Sequence, residues 1–366
     1  MTNEKWPTDP SSPLSGSVPT HPLLERLPPL QGRLPAVCLG HYPTPTHMLA
    51  QLSESLGCQV WIKRDDLTSA LYGGNKVRKL DLLLADALSQ GRHSVGTLGG
   101  NASHHILATA RFSKRLGLGA CAATFPQPKT PHATRVRSLL KDPQLGLRLY
   151  TARCLAELPV TVSRLLWRET RLTGQLPYRI PAGGSSPLGV LGYVNAALEL
   201  AQGIRAGELP NPDILVVALG SGGTAAGLLL GLEMAGIACE LHAVRVTHGG
   251  VANAFQVLQL AWGAARLLQH LGVPARELRA FGPSGSSWPA LGRPDRQVRL
   301  QVVKKQLGRG YGHPTTQAVQ AQHRASQQEG LTLDPTYTAK AMAHVLETPS
   351  SRSAKRTSSP GCSPTR

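Results

Sequence analysis

The sequence predicts an α/β protein whose strands are parallel and are joined by right-handed crossovers. Between about residues 59 and 346, short apolar runs alternate with longer amphipathic stretches. One run, Ile214–Leu219 (ILVVAL), is continuously apolar, as is typical of a strand covered on both faces. Glycine-rich turns follow several runs, where a parallel strand would end and a helix begin. The 366 residues, 41% of them hydrophobic, suffice for two domains or one large α/β unit.

Hydrophobic periodicity places five elements in the first half of the chain. Residues 59–63 (QVWIK) form a short strand, and residues 75–90 form a helix with one apolar face. Residues 94–98 form the next strand, and a glycine ends the helix predicted over residues 103–116. Residues 120–125 are again extended.

The second half repeats this alternation. Ser186 and Pro187 begin a helix, because serine caps helix N-termini and proline is tolerated in the first turn. Gly203 follows the end of that helix. The other predicted elements are the strand over residues 214–219, a helix from about 224, a strand over 240–246, a helical stretch over 251–271, and a last helix from Asp334-Pro335 through 346.

The two ends of the chain lack such periodicity. Residues 1–33 are rich in proline, serine and threonine and predict a disordered lead, and residues 347–366 predict a disordered basic tail. We find no leader-like pairing of a basic region with an apolar run, and no apolar run of the ~18 residues that span a bilayer. These features favour a soluble cytoplasmic protein without a membrane partner.

The composition narrows the classes of partner. The net charge of +18 first suggests nucleic acid, but the basic residues are spread along the chain and no RNA-recognition motif or zinc-finger spacing is present. We therefore predict no nucleic-acid partner. The six cysteines form no CxxC pair, which argues against a zinc site or a disulfide scaffold and favours a reducing compartment.

The most informative local motif is Gly73-Gly74-Asn75-Lys76, which places a lysine at the start of a helix after a glycine turn. A lysine amine with a lowered pKa can form a Schiff base with a bound aldehyde. The alternative from the local string alone is a solvated charge at a helix start.

A second motif, Gly220-Ser221-Gly222-Gly223-Thr224, lies between the ILVVAL strand and a helix. Glycines let backbone N–H groups approach an anion, and the helix N-terminus adds partial positive charge, so the motif predicts a phosphate site. The motif is not a P-loop, because no Lys-Ser/Thr pair follows it. It is not a dinucleotide-binding fingerprint either, because that motif needs a carboxylate at the end of the next strand, whereas Glu240 precedes a strand. A tight turn without a ligand is the alternative.

Two further glycine turns lie between a strand and a helix. Residues 99–103 (GGNAS) could bind a carboxylate through first-turn amides and Ser103, or Ser103 could be an ordinary helix cap. Residues 183–186 (GGSS) form the other turn. His104 and His105 are adjacent and point in different directions on a helix, so we predict no metal site, although one of them could face the ligand.

Two tyrosines are candidates for proton transfer or hydrogen bonding. Tyr311 lies between two glycines, and Tyr337 follows Asp334-Pro335-Thr336. Because the ordinary pKa of tyrosine is about 10, an acid–base role requires a nearby charge. Half-buried packing is the alternative for each.

A lysine for an aldehyde and a turn for a phosphate together suggest pyridoxal 5'-phosphate. The order of motifs resembles the D-cysteine desulfhydrase and 1-aminocyclopropane-1-carboxylate deaminase family, which has the tryptophan-synthase-β-like fold. The resemblance covers the chain from about Pro43 to Leu346. The matching strings are IKRDDLTSALYGGNKVRKL, GGNASHH, IPAGGSSPLGVLGYVNAALEL, ALGSGGTAAGL, GYGHPT and LDPTYTAKAM.

The resemblance implies two open, mostly parallel α/β domains of PLP fold type II. Residues 34–80 and 181–346 would form the larger, cofactor-binding domain, and residues 81–180 the smaller one. The implied activity is that of a lyase or deaminase, which removes the α-proton of a small amino acid and eliminates its β-substituent. A homodimer is also implied.

The resemblance also implies roles for individual residues. Lys76 would bind the cofactor as a Schiff base and move the α-proton, and Asn75 would lie near the cofactor. Ser103 would hold the substrate carboxylate or take part in ring opening. Two tyrosines, Tyr311 and Tyr337, would line the substrate side. The phosphate would be bound by the residues of the second motif, Gly220, Ser221, Gly222, Gly223 and Thr224.

Three departures from the family pattern bear on activity. His104 stands where the family has an asparagine that supports the cofactor ring oxygen, so a histidine would take that role. Thr338 stands where deaminases have a glutamate, which favours a desulfhydrase. The Ser/Arg tail replaces a C-terminal strand and a glycine turn, so the fold would lack that strand. A PLP-binding protein with lost activity and a nicotinamide-dependent oxidoreductase remain the alternatives.

Overall fold

The computed structural model describes residues 21–281 and 297–348. Its strands are β1 Thr46–Met48, β2 Trp61–Lys63, β3 Ser94–Gly100, β4 Gly119–Phe125, β5 Leu147–Thr151, β6 Tyr178–Arg179, β7 Ile214–Leu219, β8 Cys239–Arg245 and β9 Val298–Val303. Its α-helices are α1 Pro22–Arg26, α2 Ala50–Leu56, α3 Lys76–Ser89, α4 His104–Arg115, α5 Pro131–Leu140, α6 Leu158–Thr173, α7 Pro187–Arg205, α8 Gly223–Ala235, α9 Ala254–His270, α10 Thr316–Glu329 and α11 Thr338–Glu347. Short 3₁₀ turns connect several of them.

Two parallel sheets organise the fold. The first has the strand order β5-β4-β3-β6, and the second has the order β7-β8-β9. All pairs within both sheets are parallel, which confirms the predicted α/β class. A separate antiparallel pair joins β1 to β2. The first sheet lies wholly within residues 81–180, although the predicted domain boundaries themselves stay a prediction.

Helices α7 and α8 pack closely beside the second sheet. Both are rich in buried apolar residues, and glycines allow their backbones to approach. A Cβ added at Gly227 would lie 2.5 Å from the carbonyl oxygen of Val190, and one added at Gly231 would lie 2.8 Å from that of Val194. This close packing fixes α8, and therefore the turn that precedes it, against the rest of the core.

The expectation that β7 is covered on both faces is met only at its end. Residues 214–218 are half-buried, whereas Leu219 is buried. In the described part of the chain β7 is an edge strand, paired only with β8. Its apolar run therefore predicted the strand correctly but overestimated its burial.

The prediction of a disordered lead over residues 1–33 is wrong for residues 21–33. Helix α1 and a 3₁₀ turn over Pro28–Leu30 are ordered there. Leu23, Leu27 and Leu30 are buried in the same core as residues of α7 and α8. Removal of their apolar area from water stabilises this packing. Residues 1–20 lie outside the described residues.

Near the C-terminus, α11 begins at Thr338, four residues later than expected. Asp334 instead forms a turn, in which its carboxylate accepts hydrogen bonds from the backbone N–H groups of Thr336 and Tyr337 at 2.7 and 2.8 Å. Helix α11 includes Glu347, which corrects the predicted start of the disordered tail. Residues 349–366 lie outside the described residues, so the predicted tail and the missing strand stay predictions there.

Candidate active site

Lys76 is the first residue of α3, and the two glycines before it make its position possible. A Cβ at Gly73 would lie 1.7 Å from the carbonyl oxygen of Asp66, and Gly74 has a φ of +116°, which favours glycine. The Lys76 side chain is mostly buried. Burial lowers its pKa to about 8, although the Asp334 carboxylate opposes the shift. A substantial fraction of this amine is therefore neutral near pH 8, as nucleophilic attack on an aldehyde requires.

The Gly220–Thr224 segment, here called the 220–224 turn, joins the end of β7 to the start of α8. Gly222 caps the helix with a φ of +88°, and α8 begins at Gly223. The side-chain amide of Asn75 donates a hydrogen bond to the Thr224 hydroxyl at 3.0 Å. The residue before Lys76 is thereby fixed to the 220–224 turn, so the two sequence motifs lie together.

The 183–186 turn completes this part of the site. The Ser185 hydroxyl lies 2.7 Å from the Ser221 hydroxyl and accepts a hydrogen bond from the Gly223 N–H at 3.1 Å. Three segments that are distant in sequence therefore meet at the N-terminus of α8. Backbone N–H groups and hydroxyls at a helix N-terminus are the donors that bind phosphate.

Lys79 belongs to this site, and the sequence analysis missed it. Its side chain is 1% exposed, and its amine donates hydrogen bonds to the Gly183 carbonyl oxygen at 3.2 Å and to the Ser185 hydroxyl at 3.4 Å. Burial and the charge of Lys76 lower its pKa well below the ordinary value. Its spacing of three residues from Lys76 on one helix face was the signal that could have identified it.

These contacts provide a test of whether an anionic aldehyde cofactor fits. A Cβ at Gly223 would lie 2.5 Å from the Ser185 hydroxyl oxygen and 2.8 Å from the Lys79 amine, so only glycine leaves this approach open. A phosphate here would be a negatively charged partner for the amine of the buried Lys79. The residues present fit pyridoxal phosphate, with Lys76 available for its aldehyde.

Ser103 and His105 lie at the N-terminus of α4. Ser103 caps α4 and accepts a hydrogen bond from the Ile106 N–H at 3.4 Å, so its capping role is confirmed and its carboxylate-binding role stays a prediction. His105 is buried, with Nε2 2.9 Å from the Thr97 hydroxyl. Burial lowers its pKa, and the charges of Lys76 and Lys79 add to the shift, which places all three basic groups near one another.

Tyr311 and Tyr337 contact each other, as a shared site requires. Their hydroxyl oxygens are 2.7 Å apart. A Cβ at Gly220 would lie 3.6 Å from the Tyr337 ring, so this ring lies beside the 220–224 turn. Burial raises the pKa of both phenols, which therefore remain protonated donors at neutral pH.

His104 is placed differently from the other predicted residues. Its Nδ1 contacts the Tyr72 hydroxyl, and its Nε2 lies 2.8 Å from Nε2 of His132. Both nitrogens thus have neighbours other than the 220–224 turn, and the predicted contact with a cofactor ring oxygen stays a prediction. A small pocket contains His104, His132, Thr336 and Tyr337, which joins this histidine to the tyrosine side of the site.

The fold and site together define a class: an open α/β protein in which a lysine amine lies near a glycine turn with donors suited to phosphate. Comparison with known proteins specifies this class. The pyridoxal-phosphate dependent enzyme family matches residues 37–358. The D-cysteine desulfhydrase of Klebsiella pneumoniae subsp. pneumoniae is 35% identical over 321 residues, which cover 86% of this chain and 88% of that protein.

Other similar proteins belong to the same group of enzymes or share its fold. A D-cysteine desulfhydrase of Salmonella choleraesuis is 35% identical over 86% of this chain and 88% of its own length. The crystal structure of an ACC deaminase homologue has a TM-score of 0.70 at 32% identity and covers 89% of this chain and 90% of its own. An L-serine ammonia-lyase from Rhizomucor miehei shares the fold, with a TM-score of 0.53 at 18% identity over 84% of this chain and 88% of its own.

The chain therefore belongs to the pyridoxal-phosphate dependent enzyme family. The predicted family resemblance, α/β fold class and pyridoxal phosphate cofactor are confirmed. No helix in residues 21–281 and 297–348 is long and apolar enough to cross a membrane.

Proposed function

We propose that this enzyme uses pyridoxal phosphate to eliminate the β-substituent of a small amino acid, with D-cysteine as the first substrate to test. The products would be pyruvate, ammonia and hydrogen sulfide, with one water consumed. The proposal draws its substrate from relatives named D-cysteine desulfhydrase at 35% identity over 86% of the chain. The observation that carries the chemistry is the Asn75–Thr224 hydrogen bond of 3.0 Å, because it holds Lys76 beside the 220–224 turn, which we propose as the phosphate site.

The bound cofactor supplies an electron sink that stabilises negative charge at the substrate α-carbon. Lys76 would bind the cofactor aldehyde and, once released, accept the α-proton at Nζ. Its pKa of about 8 suits this exchange, because a general base works best when its pKa is near the working pH. The 220–224 turn and Lys79 would hold the phosphate and fix the cofactor's position.

The remaining predicted residues would act on the substrate. Ser103, at the start of α4, would bind the carboxylate through its hydroxyl and the first-turn N–H groups. Tyr311 and Tyr337, whose hydroxyls are 2.7 Å apart, would donate a proton or a hydrogen bond to the departing sulfur. Their raised pKa values keep both protonated, so the pair would act as a donor.

A second candidate is the hydrolytic opening of 1-aminocyclopropane-1-carboxylate. The structure of an ACC deaminase homologue, at a TM-score of 0.70, supports it. Thr338 counts against it, since the resemblance places a glutamate there in deaminases. The Thr338 hydroxyl instead accepts a hydrogen bond from the Asp334 N–H at 2.7 Å.

Two measurements test the proposal. The holoprotein is assayed with D-cysteine, L-cysteine and 1-aminocyclopropane-1-carboxylate, and sulfide, pyruvate and 2-oxobutyrate are quantified. We expect sulfide and pyruvate from D-cysteine. Production of 2-oxobutyrate alone would select the second candidate, and retention of cofactor without turnover would identify a protein that binds it but has lost catalysis.

Borohydride reduction then locates the cofactor attachment. Peptide mapping should find the pyridoxyl label on Lys76. Lys340 is an internal control, because burial also lowers its pKa to about 8, yet it lies on α11 and donates to the Leu307 carbonyl oxygen. A label on Lys340, or none, would reject the assignment of Lys76.

We also propose a homodimer in a reducing compartment such as the cytoplasm. All five described cysteines are free thiols, which is typical of such compartments. Light scattering coupled to size-exclusion chromatography would test the dimer, and fractionation of cells would test the location.

A further inference from the structure

Two histidines and an aspartate converge beside the site. His104 begins α4, His132 lies in the first turn of α5, and Asp334 lies in the turn before α11. Nε2 of His104 and Nε2 of His132 are 2.8 Å apart, and Oδ2 of Asp334 is 3.2 Å from the first and 3.0 Å from the second. We call these three residues the His–His–Asp cluster.

Hydrogen bonding alone does not satisfy the cluster. Asp334 Oδ2 is buried and makes no hydrogen bond of good geometry, although both histidine nitrogens are within ion-pair distance. The other carboxylate oxygen of Asp334 accepts the N–H groups of Thr336 and Tyr337. Protons on the imidazole nitrogens could bridge at most two sides of this triangle, and the two nitrogens 2.8 Å apart would then present N–H groups to each other.

A single cation just outside the plane of the triangle would satisfy all three atoms. Metal–ligand distances of about 2.0–2.2 Å and angles near 90° place neighbouring ligand atoms roughly 3.0 Å apart, as on one face of an octahedron. The three observed separations, 2.8, 3.0 and 3.2 Å, match this spacing. Two imidazoles and one carboxylate are a donor set for divalent transition metals such as zinc, iron or cobalt.

The surroundings also suit a metal ion. Tyr72 contacts Nδ1 of His104, so its hydroxyl oxygen can accept the Nδ1–H and leave Nε2 free to bind the ion. The hydrogen bonds from the N–H groups of Thr336 and Tyr337 fix the orientation of the Asp334 carboxylate. The side chains of His104, His132 and Asp334 are 33%, 31% and 19% exposed, which leaves a path for entry from solvent.

We propose that the His–His–Asp cluster binds one divalent transition-metal ion through Nε2 of His104, Nε2 of His132 and Oδ2 of Asp334. This proposal departs from the expectation of no metal site, which rested on the lack of a CxxC pair and on the adjacent residues His104 and His105. The open coordination positions would take water or a ligand with a carboxylate or thiolate group.

The test uses the holoprotein after dialysis against a chelator. Addition of cobalt(II) should produce a ligand-field absorption band, and both this band and calorimetric titration with zinc(II) should saturate at one equivalent per chain. His132→Gln should weaken binding by about tenfold or more, because one of three protein ligands is lost. His104→Gln provides a second variant, and an unchanged far-UV circular dichroism spectrum shows that each variant is folded.

His344→Ala is the matched control. His242 and His344 also form a pair, with Nδ1 and Nε2 2.9 Å apart, but Glu240 contacts the opposite nitrogen of His242, so the ligand atoms do not converge. This variant should bind metal as the wild type does. Absence of a saturable cobalt band in the wild type, or equal affinity in wild type and His132→Gln, would overturn the proposal.

Discussion

Replacement of Lys76 by methionine should stabilise the cofactor-free protein while it abolishes cofactor attachment. Burial lowers the pKa of this lysine from 10.5 to about 8. Each pKa unit corresponds to about 1.4 kcal/mol, so retention of the protonated amine costs about 3.5 kcal/mol of folding free energy at most. Methionine has a similar length and carries no charge, so the Lys76→Met variant avoids this cost.

The pH dependence follows from the direction of the shift. Because the pKa is lower in the folded chain, the folded state binds this proton less tightly than the unfolded state. The cost is therefore complete below about pH 8, falls as the pH rises toward 10.5, and is absent above that value. The stability advantage of Lys76→Met should follow the same course.

Urea unfolding of both proteins, without cofactor, at several pH values between 7 and 10.5 measures this difference. Lys304→Met is the control, since Lys304 is exposed and its replacement should change stability little at any pH. A Lys76→Met variant that is no more stable near neutral pH, or whose advantage does not vary with pH, would refute a buried, destabilised amine at position 76.

Three further predictions concern the surroundings of the site. Lys79→Met should weaken cofactor binding by about tenfold or more in equilibrium dialysis, because a charge-assisted phosphate contact contributes about 1.5–3 kcal/mol; unchanged affinity would remove Lys79 from the phosphate site. Gly192→Ala should lower the unfolding free energy by about 1–3 kcal/mol in urea, because the added Cβ would lie 2.0 Å from the Arg78 carbonyl oxygen; a neutral effect would contradict that packing. Glu199→Gln should lower the unfolding free energy by about 3 kcal/mol, because the buried Arg78 guanidinium, 2.9 Å from Glu199 in the wild type, would lose its charged partner there. Thermal unfolding with a wild-type midpoint would disprove the contribution of this ion pair.

The parts of the fold that the sequence predicted are those with a local physical signal. Strand β7 was placed without error at Ile214–Leu219, because its run of β-branched and apolar residues is bounded by polar residues and glycine. The 220–224 turn was predicted because consecutive glycines between a strand and a helix allow an anion to approach the backbone closely. Its proximity to Asn75 was not derivable from local pattern and entered through the family resemblance.

Elements with weaker local signals were missed. Helix α10 (Thr316–Glu329) is rich in glutamine and alanine and buries only small side chains, so its apolar periodicity is faint. Helix α1 was assigned to a disordered lead because proline, serine and threonine dominate its neighbourhood. Its leucines are buried only because α7 offers them a surface, which is tertiary information.

The cluster of His104, His132 and Asp334 shows the same limit at the level of the site. These residues are separated by 28 and by 202 positions, and no local spacing connects them. Each comes from the start of a different helix or the turn before one. The parallel topology brings helix starts to one edge of the sheets, so a topological argument could have suggested the meeting, but not the distances.

The buried basic groups explain why the site needs an anionic ligand. Burial lowers the pKa of Lys76, Lys79 and His105, the charge of Lys76 lowers the other two further, and the Asp334 carboxylate opposes the shift at Lys76. Burial of Lys79 beside Ser185 and the α8 N-terminus therefore gathers donors and positive charge at one point. A phosphate bound there would accept these donors and favour protonated Lys79, and Lys76 would provide the amine for an aldehyde of the same molecule. Because one molecule would carry both groups, loss of the phosphate contacts should also weaken attachment at Lys76, so affinity for phosphate and reaction at the lysine should be linked in this site.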